Sequence, residues 1–191
     1  MTHGPKVMVA GAGALGLTTA LALADAGCAV TLSDPAAAPQ ASSVAAGMLA
    51  PVFETVLDGG DEADLDLLLA ARNLWPALAA RAGVEVDRSG TAAVGAASWL
   101  APVRSGLARL GLRGADLPRS LLADLAPGVA EDVEALFLRE DWRLDPRQAL
   151  KALRQSAEAA GVAFASEIAA QRGDADWLVI ATGAALGLAE F

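Results

Sequence analysis

Residues 6–34, KVMVAGAGALGLTTALALADAGCAVTLSD, leave this chain few folds to choose from. Val7-Met8-Val9-Ala10 is a short apolar run of the kind a fully buried parallel strand shows. It runs into Gly11-Ala12-Gly13-Ala14-Leu15-Gly16, a G-x-G-x-x-G. Residues 17–26 read as a helix of Ala and Leu, the best helix formers, and Gly27 stands where a left-handed residue is needed to stop it. Residues 29–33 form a second apolar strand, with Asp34 at its end. Gly11 permits the tight turn, Gly13 lets the backbone approach a pyrophosphate, and Gly16 lets the helix pack on the sheet. The helix N-terminus then turns unpaired N–H groups and a positive dipole end toward phosphate, with Ala14 and Leu15 in the first turn. Asp34 follows at the spacing where an acid accepts from the ribose hydroxyls and disfavours a 2′-phosphate. A Gly-rich turn in another α/β unit is the alternative. The shared register of strand, helix, stop and acid favours a dinucleotide.

Composition removes whole classes of chemistry. The 191 residues hold one His, one Cys and no Tyr. A zinc cluster or a Ser-His-Asp hydrolase therefore has too few side chains to draw on. His3 lies in the N-terminal tail, and Cys28 beside Gly27 reads as a small buried residue. Any redox chemistry falls to a cofactor. A net charge of −9 argues against nucleic acid and anionic membrane surfaces as partners. No apolar run is long enough for a membrane span, and a cytoplasmic protein is the expectation.

The next informative stretch is Ala41-Ser42-Ser43-Val44-Ala45-Ala46-Gly47-Met48-Leu49-Ala50-Pro51. Ser42 or Ser43 suits the N-cap of a short turn, and the small residues up to Gly47 leave room for something large and flat. A capped turn packing on the first helix fits the local chemistry equally well. Taken with the N-terminal glycine motif, however, A-G-M-L-A-P followed by Glu54 resembles the D-amino-acid-oxidase-type flavoenzymes, and among them the glycine oxidases of thiamine biosynthesis. The resemblance implies FAD as cofactor. It implies that Ala41, Ser42, Ala46, Gly47 and Met48 contact flavin or ribityl, largely through backbone. Ala14 and Leu15 would face the pyrophosphate and Asp34 the adenosine ribose.

Downstream, Leu65, Leu68, Leu69, Arg72, Trp75 and Leu78 form a stripe at helical spacing that reads as core, and Pro76 is expected to kink or divide that helix. Ala71-Arg72-Asn73-Leu74-Trp75-Pro76 matches a segment of the resembling family. Short apolar runs flank Ser89-Gly90, a hairpin signal. Residues 99–112 and 117–125 read as helices and 135–138 as a strand. Arg104, Arg109, Arg113 and Arg119 read as a solvated helix face before a substrate clamp. Asp145-Pro146 is an N-cap with Pro at the first helical position, opening a helix over 147–160. Residues 162–165 form a strand, Ile168 is expected beside it, and in the resembling family a branched residue near there touches adenine.

Asp176-Trp177-Leu178-Val179-Ile180-Ala181-Thr182-Gly183-Ala184 is an apolar strand entering A-T-G. By resemblance, Thr182 and Gly183 approach the FAD from the side opposite Gly13. The expected fold class is α/β: a Rossmann-like FAD-binding domain, with a parallel sheet and flanking helices, from residues 1–83 and 141–191. Residues 84–140 would be the first half of an α+β substrate domain. The C-terminal half of the family's chain, with its substrate-gripping arginine, is not found in this sequence, which is therefore expected to be an N-terminal portion or a truncated form. No motif marks Arg88, Arg139 or Arg143 as a substitute. The resemblance implies oxidative deamination of glycine or another small amino acid or amine. Hydride passes from Cα to flavin N5, the imine is hydrolysed, and dioxygen is reduced to hydrogen peroxide. An NAD-dependent dehydrogenase and a non-catalytic FAD-binding remnant are the rival readings, and homo-oligomerisation stays open.

Overall fold

The computed structural model describes residues 4–35, 41–169 and 171–183. His3, residues 36–40 and Ala184 lie outside them. In chain order the elements are β1 (Lys6–Ala10), α1 (Ala14–Asp25), β2 (Ala29–Ser33), α2 (Ala41–Val44), β3 (Met48–Leu49) and α3 (Pro51–Leu57). There follow α4 (Glu62–Ala82), β4 (Val86–Asp87), β5 (Thr91–Gly95), α5 (Ala97–Arg109), β6 (Ala115–Asp116) and α6 (Arg119–Leu125). The last are β7 (Glu134–Leu138), β8 (Trp142–Leu144), α7 (Pro146–Ala159), β9 (Ala163–Ala165) and β10 (Trp177–Ile180). Contacts divide the chain into one unit of Met1–Gly47, Ala77–Glu85 and Asp145–Phe191, and a second of Met48–Pro76 and Val86–Leu144.

The first unit holds a sheet ordered β10-β1-β2-β9, with every neighbouring pair parallel. Parallel neighbours need crossovers, which α1 supplies between β1 and β2 and α7 supplies before β9. Val7 and Val9 of β1, and Val30 and Leu32 of β2, are buried. Helix α1 packs on both strands through its buried face of Leu17, Ala20 and Leu21, and α7 packs on α1, with Ala149, Leu153 and Ala157 buried and spaced by four residues. Helix α1 ends as its sequence demands: Gly27 takes φ +87°, and Cys28 N donates to Leu23 O at 3.0 Å. Helix α7 starts at Asp145, whose side chain accepts from Arg147 N and Gln148 N, with Pro146 next.

The second unit contains two antiparallel sheets, β3-β8-β4 and β5-β7-β6. Its core gathers Val52, Phe53 and Val56 of α3, Leu65 of α4, Leu100, Val103 and Leu107 of α5, and Leu136 and Leu138 of β7. Gly106 lets α5 approach α3, since a Cβ there would stand 2.7 Å from Val56 Cγ1. This packing is why residues 48–76 group with the second unit, although they were expected with the first. Helix α3 has Ala50 at its N-cap and so no side chain of its own to satisfy its first amides. Asp141, wholly buried, accepts from Val52 N and Phe53 N at 2.9 Å each. Burial pushes the Asp141 carboxyl above its ordinary range against the downward pull of those two amides.

Four local expectations change. Ser89-Gly90 does turn the chain, with Ser89 N on Asp87 Oδ1 at 2.8 Å, but no hairpin forms. Strand β4 pairs with β8 and β5 with β7, so the turn hands the chain from one sheet to the other. Of the two outcomes expected at Pro76, division does not occur, since α4 runs through it from Glu62 to Ala82. In the Leu65–Leu78 stripe Leu65 is buried, while Trp75 is half-buried rather than core. Ile168 lies in a loop, 70% exposed, and not on a strand.

Two stability outcomes follow from α3. Asp141→Ala strands two buried amides and should cost about 2–4 kcal/mol in urea unfolding. Glu54 is raised by desolvation first, then by the charges of Asp141 and Asp58. A carboxyl raised in the folded state is penalised only once pH exceeds the unfolded value of 4.5, and fully above its folded value. Glu54 is exposed, so solvent screens the effect: Glu54→Gln should raise the urea midpoint only slightly at neutral pH, and that gain should vanish as pH falls below the ordinary carboxyl range.

Candidate cofactor site

The C-terminal ends of β1, β2 and β10 converge on the glycine loop. Gly11 N donates to Ser33 O at 3.0 Å, and Ala181 N donates to Ala10 O at 2.8 Å. Gly11 takes φ +106°, and a Cβ there would stand 2.4 Å from Ala181 O and 3.1 Å from Thr182 Cα. Thr182 thus lies against the mouth of the first strand, and Gly183 continues from it. Gly16 is tighter: its Cβ would fall 1.7 Å from Gly11 O. Helix α1 can begin this close to the strand it follows only with glycine at both positions.

Gly13 is different. Its backbone (φ −73°, ψ −174°) is extended and open to any residue, and among the described residues a Cβ there would meet only Ser42 Oγ, at 3.2 Å. Backbone geometry does not call for glycine here; the close approach of Ser42 beside the first amides of α1 does. Helix α1 has no side-chain cap of its own. Ser42 Oγ accepts from Ala14 N at 3.1 Å instead, so a residue expected to cap its own turn caps the neighbouring helix. By helix geometry the amides of Leu15 and Gly16 have no intrahelical acceptor. The Leu15 side chain is 76% exposed at this mouth. The arrangement suits a pyrophosphate: bare backbone, outward amides, a hydroxyl and the positive end of α1.

Ala41 and Ser42 lie on α2, which packs against α7. Ala46 is exposed and half-buried Gly47 takes φ +74°. Met48, the first residue of the second unit, is 44% exposed on β3. Asp34 closes β2, with its amide on Ala165 O at 2.7 Å. Its carboxylate is ion-paired with Arg154 of α7, a residue no local motif announced. The only cue was position: Arg154 adjoins Leu153, on a helix whose apolar spacing ties it to the sheet. Ser33, 2% exposed, holds the loop that carries Ile168 at the end of β2. Its hydroxyl donates to Glu167 O at 2.5 Å and accepts from Ala169 N at 3.0 Å. Ile168 also lines a cleft of about 480 Å³ with Met8, Ala29 and Ser33.

In the second unit several arginines are engaged by neighbouring groups. Arg104 pairs with Asp116 and Glu134, and Arg119 donates to the carbonyls of Val129 and Ala130. Arg143 pairs with Asp87 at 2.8 Å, and hydrogen bonds from Ser89, then Arg143, hold that carboxyl down to about 2. Arg88 lies over the Trp142 ring.

Comparisons with known proteins agree with this architecture. Residues 6–190 match the family described as FAD dependent oxidoreductase, DAO. The chain is 36% identical over 192 residues to a Rhizobium etli protein named "Putative thiamine biosynthesis oxidoreductase ThiO", a match covering 94% of this chain and 54% of that one. Among solved structures, iminodiacetate oxidase (IdaA) from Chelativorans sp. BNC1 superposes with a TM-score of 0.68 at 22% identity, over 83% of this chain and 46% of that one. Glycine oxidase from Geobacillus kaustophilus gives 0.67 at 22%, over 85% and 47%. The chain spans about half the length of these proteins, and the two structures share its fold.

Glycine's two roles here separate experimentally. Gly16→Ala should destabilise the chain by about 3 kcal/mol because α1 must move off β1. Gly13→Ala should cost within about 1 kcal/mol, as its backbone is already ordinary. Thermal unfolding of both variants checks the contrast; equal losses would contradict it.

Proposed function

The chain belongs to the DAO family of FAD dependent oxidoreductases, and from that footing we propose that it binds FAD and serves the oxidative deamination of glycine or another small amino acid. The observation that carries this is the N-terminus of α1, where Gly13 presents bare backbone beside Ser42 and the amides of Leu15 and Gly16 have no intrahelical acceptor. The first unit is assigned the cofactor and the second the beginning of a substrate domain. Ala14 and Leu15 face the pyrophosphate; with the Ala14 amide capped by Ser42, the amides of Leu15 and Gly16 and the α1 dipole hold it. Gly13 keeps a side chain out of its path, Gly11 and Gly16 bring strand and helix close enough to present those amides, and Asp34 accepts from the adenosine ribose. Ala41, Ser42, Ala46, Gly47 and Met48 lie along ribityl and flavin, largely through backbone. Ile168 borders the adenine, and Thr182 and Gly183 close the side opposite Gly13.

When bound, FAD supplies the acceptor for a hydride from the amino acid's Cα. The chain's own contribution is binding and orientation, and no general base is required of it if the amine enters unprotonated. That agrees with a sequence holding one His and no Tyr. The thiamine-pathway placement in the name of the Rhizobium etli relative makes glycine the first substrate to try.

Titrating FAD into the purified chain should quench flavin fluorescence and leave a yellow protein with the two visible flavin bands. Gly13→Ala should keep its melting temperature yet lose FAD affinity at least about tenfold, since the new methyl stands where the backbone must meet phosphate. Peroxide release on adding glycine, sarcosine or D-alanine then ranks substrates. A chain that stays colourless with FAD, or responds to NAD instead, would refute the assignment.

A further inference from the structure

Arg154 meets Asp34 with an approach that looks built. Its Nη1 donates to Asp34 Oδ2, and the Asp34 side chain is 13% exposed. Arg154 is restrained on two more sides. Its Cζ stands 4.2 Å from the centroid of the Phe164 ring, and its Nε is 3.3 Å from Glu158 Oε1 one turn along α7. Phe164 is itself fixed, lying on β9 in register with Leu32 of β2. A guanidinium stacked on an aromatic face and anchored at both edges has few rotamers left to lose.

We infer that Arg154 is a positioning residue for the cofactor: it fixes the Asp34 carboxylate in the orientation that receives the adenosine ribose. The inference rests on the FAD reading above. A carboxylate offers about four lone-pair sites, so an ion pair with Arg154 does not by itself prevent Asp34 from accepting a ribose hydroxyl. Orienting the acid beforehand removes an ordering cost from the binding step. The Rossmann acid is read from sequence as a lone residue; here α7, which packs on α1, supplies its cation from about 120 residues downstream. The adenosine end of the site is thus assembled from β2, β9 and α7 together.

The test is a double-mutant cycle on FAD affinity, read by fluorescence titration of the full chain: wild type, Arg154→Ala, Asp34→Ala and the double variant. Positioning predicts that Arg154→Ala weakens FAD roughly tenfold to a hundredfold, as loss of a charge-assisted contact does. It predicts no further loss when Asp34 is already Ala. Should Arg154→Ala fail to fold, Arg154→Gln, which keeps the stem over Phe164, takes its place in the cycle. Wild-type affinity in the Arg154 variant, or the same loss in both backgrounds, overturns the inference. A wild-type chain that binds no FAD overturns the FAD reading itself and this inference with it, so the two failures are told apart.

Discussion

Helix α1 touches the strand that precedes it, and no Cβ fits in the contact. Gly16 lies on the carbonyl of Gly11, and Gly11 lies on the backbone of Ala181 and Thr182. Three segments distant in sequence are thereby pressed together at one end of a parallel sheet. At that end Ser42 Oγ caps the Ala14 amide, and the amides of Leu15 and Gly16 have no intrahelical acceptor. Everything else in the first unit serves that geometry. The buried leucines and valines hold α1 on the sheet, α7 packs on α1, Gly27 stops α1, and Asp145 starts α7. The order β10-β1-β2-β9 puts the end of β10 beside the mouth of β1.

Much of this was written in the local sequence. Strand-glycine-helix-acid is a short-range pattern, so β1, α1, β2 and the start and stop of α7 can be read from neighbouring residues alone. What escaped was long-range. Ser42 is an obvious capping residue, but which helix it caps depends on how the chain folds back, and it caps α1 rather than its own turn. Ser89-Gly90 is an obvious turn, but a turn does not say whether its two flanking strands pair with each other. Here each found a longer-range partner in a different sheet. Arg154 carries no motif, and its meeting with Asp34 depends on α7 crossing to β9.

The second unit uses polar groups in another way. Its acid at position 141 is buried for the sake of two amides of α3, and Arg72, Arg88, Arg104, Arg119 and Arg143 are spent on Asp87, Asp116, Glu134, Trp142 and main-chain carbonyls. The first unit instead leaves backbone amides and a half-exposed ion pair at the end of its sheet. That contrast is what directs the functional assignment to the glycine loop, in keeping with membership of an FAD dependent family.

The central claim is that residues 13–16, 41–47 and 181–183 close on one nucleotide. Hydrogen–deuterium exchange of the chain with and without FAD addresses it directly. The account predicts that FAD slows exchange at amides of these three segments and leaves the α5 and α6 amides unchanged. Slowing confined to one segment, or seen only in the second unit, would contradict it.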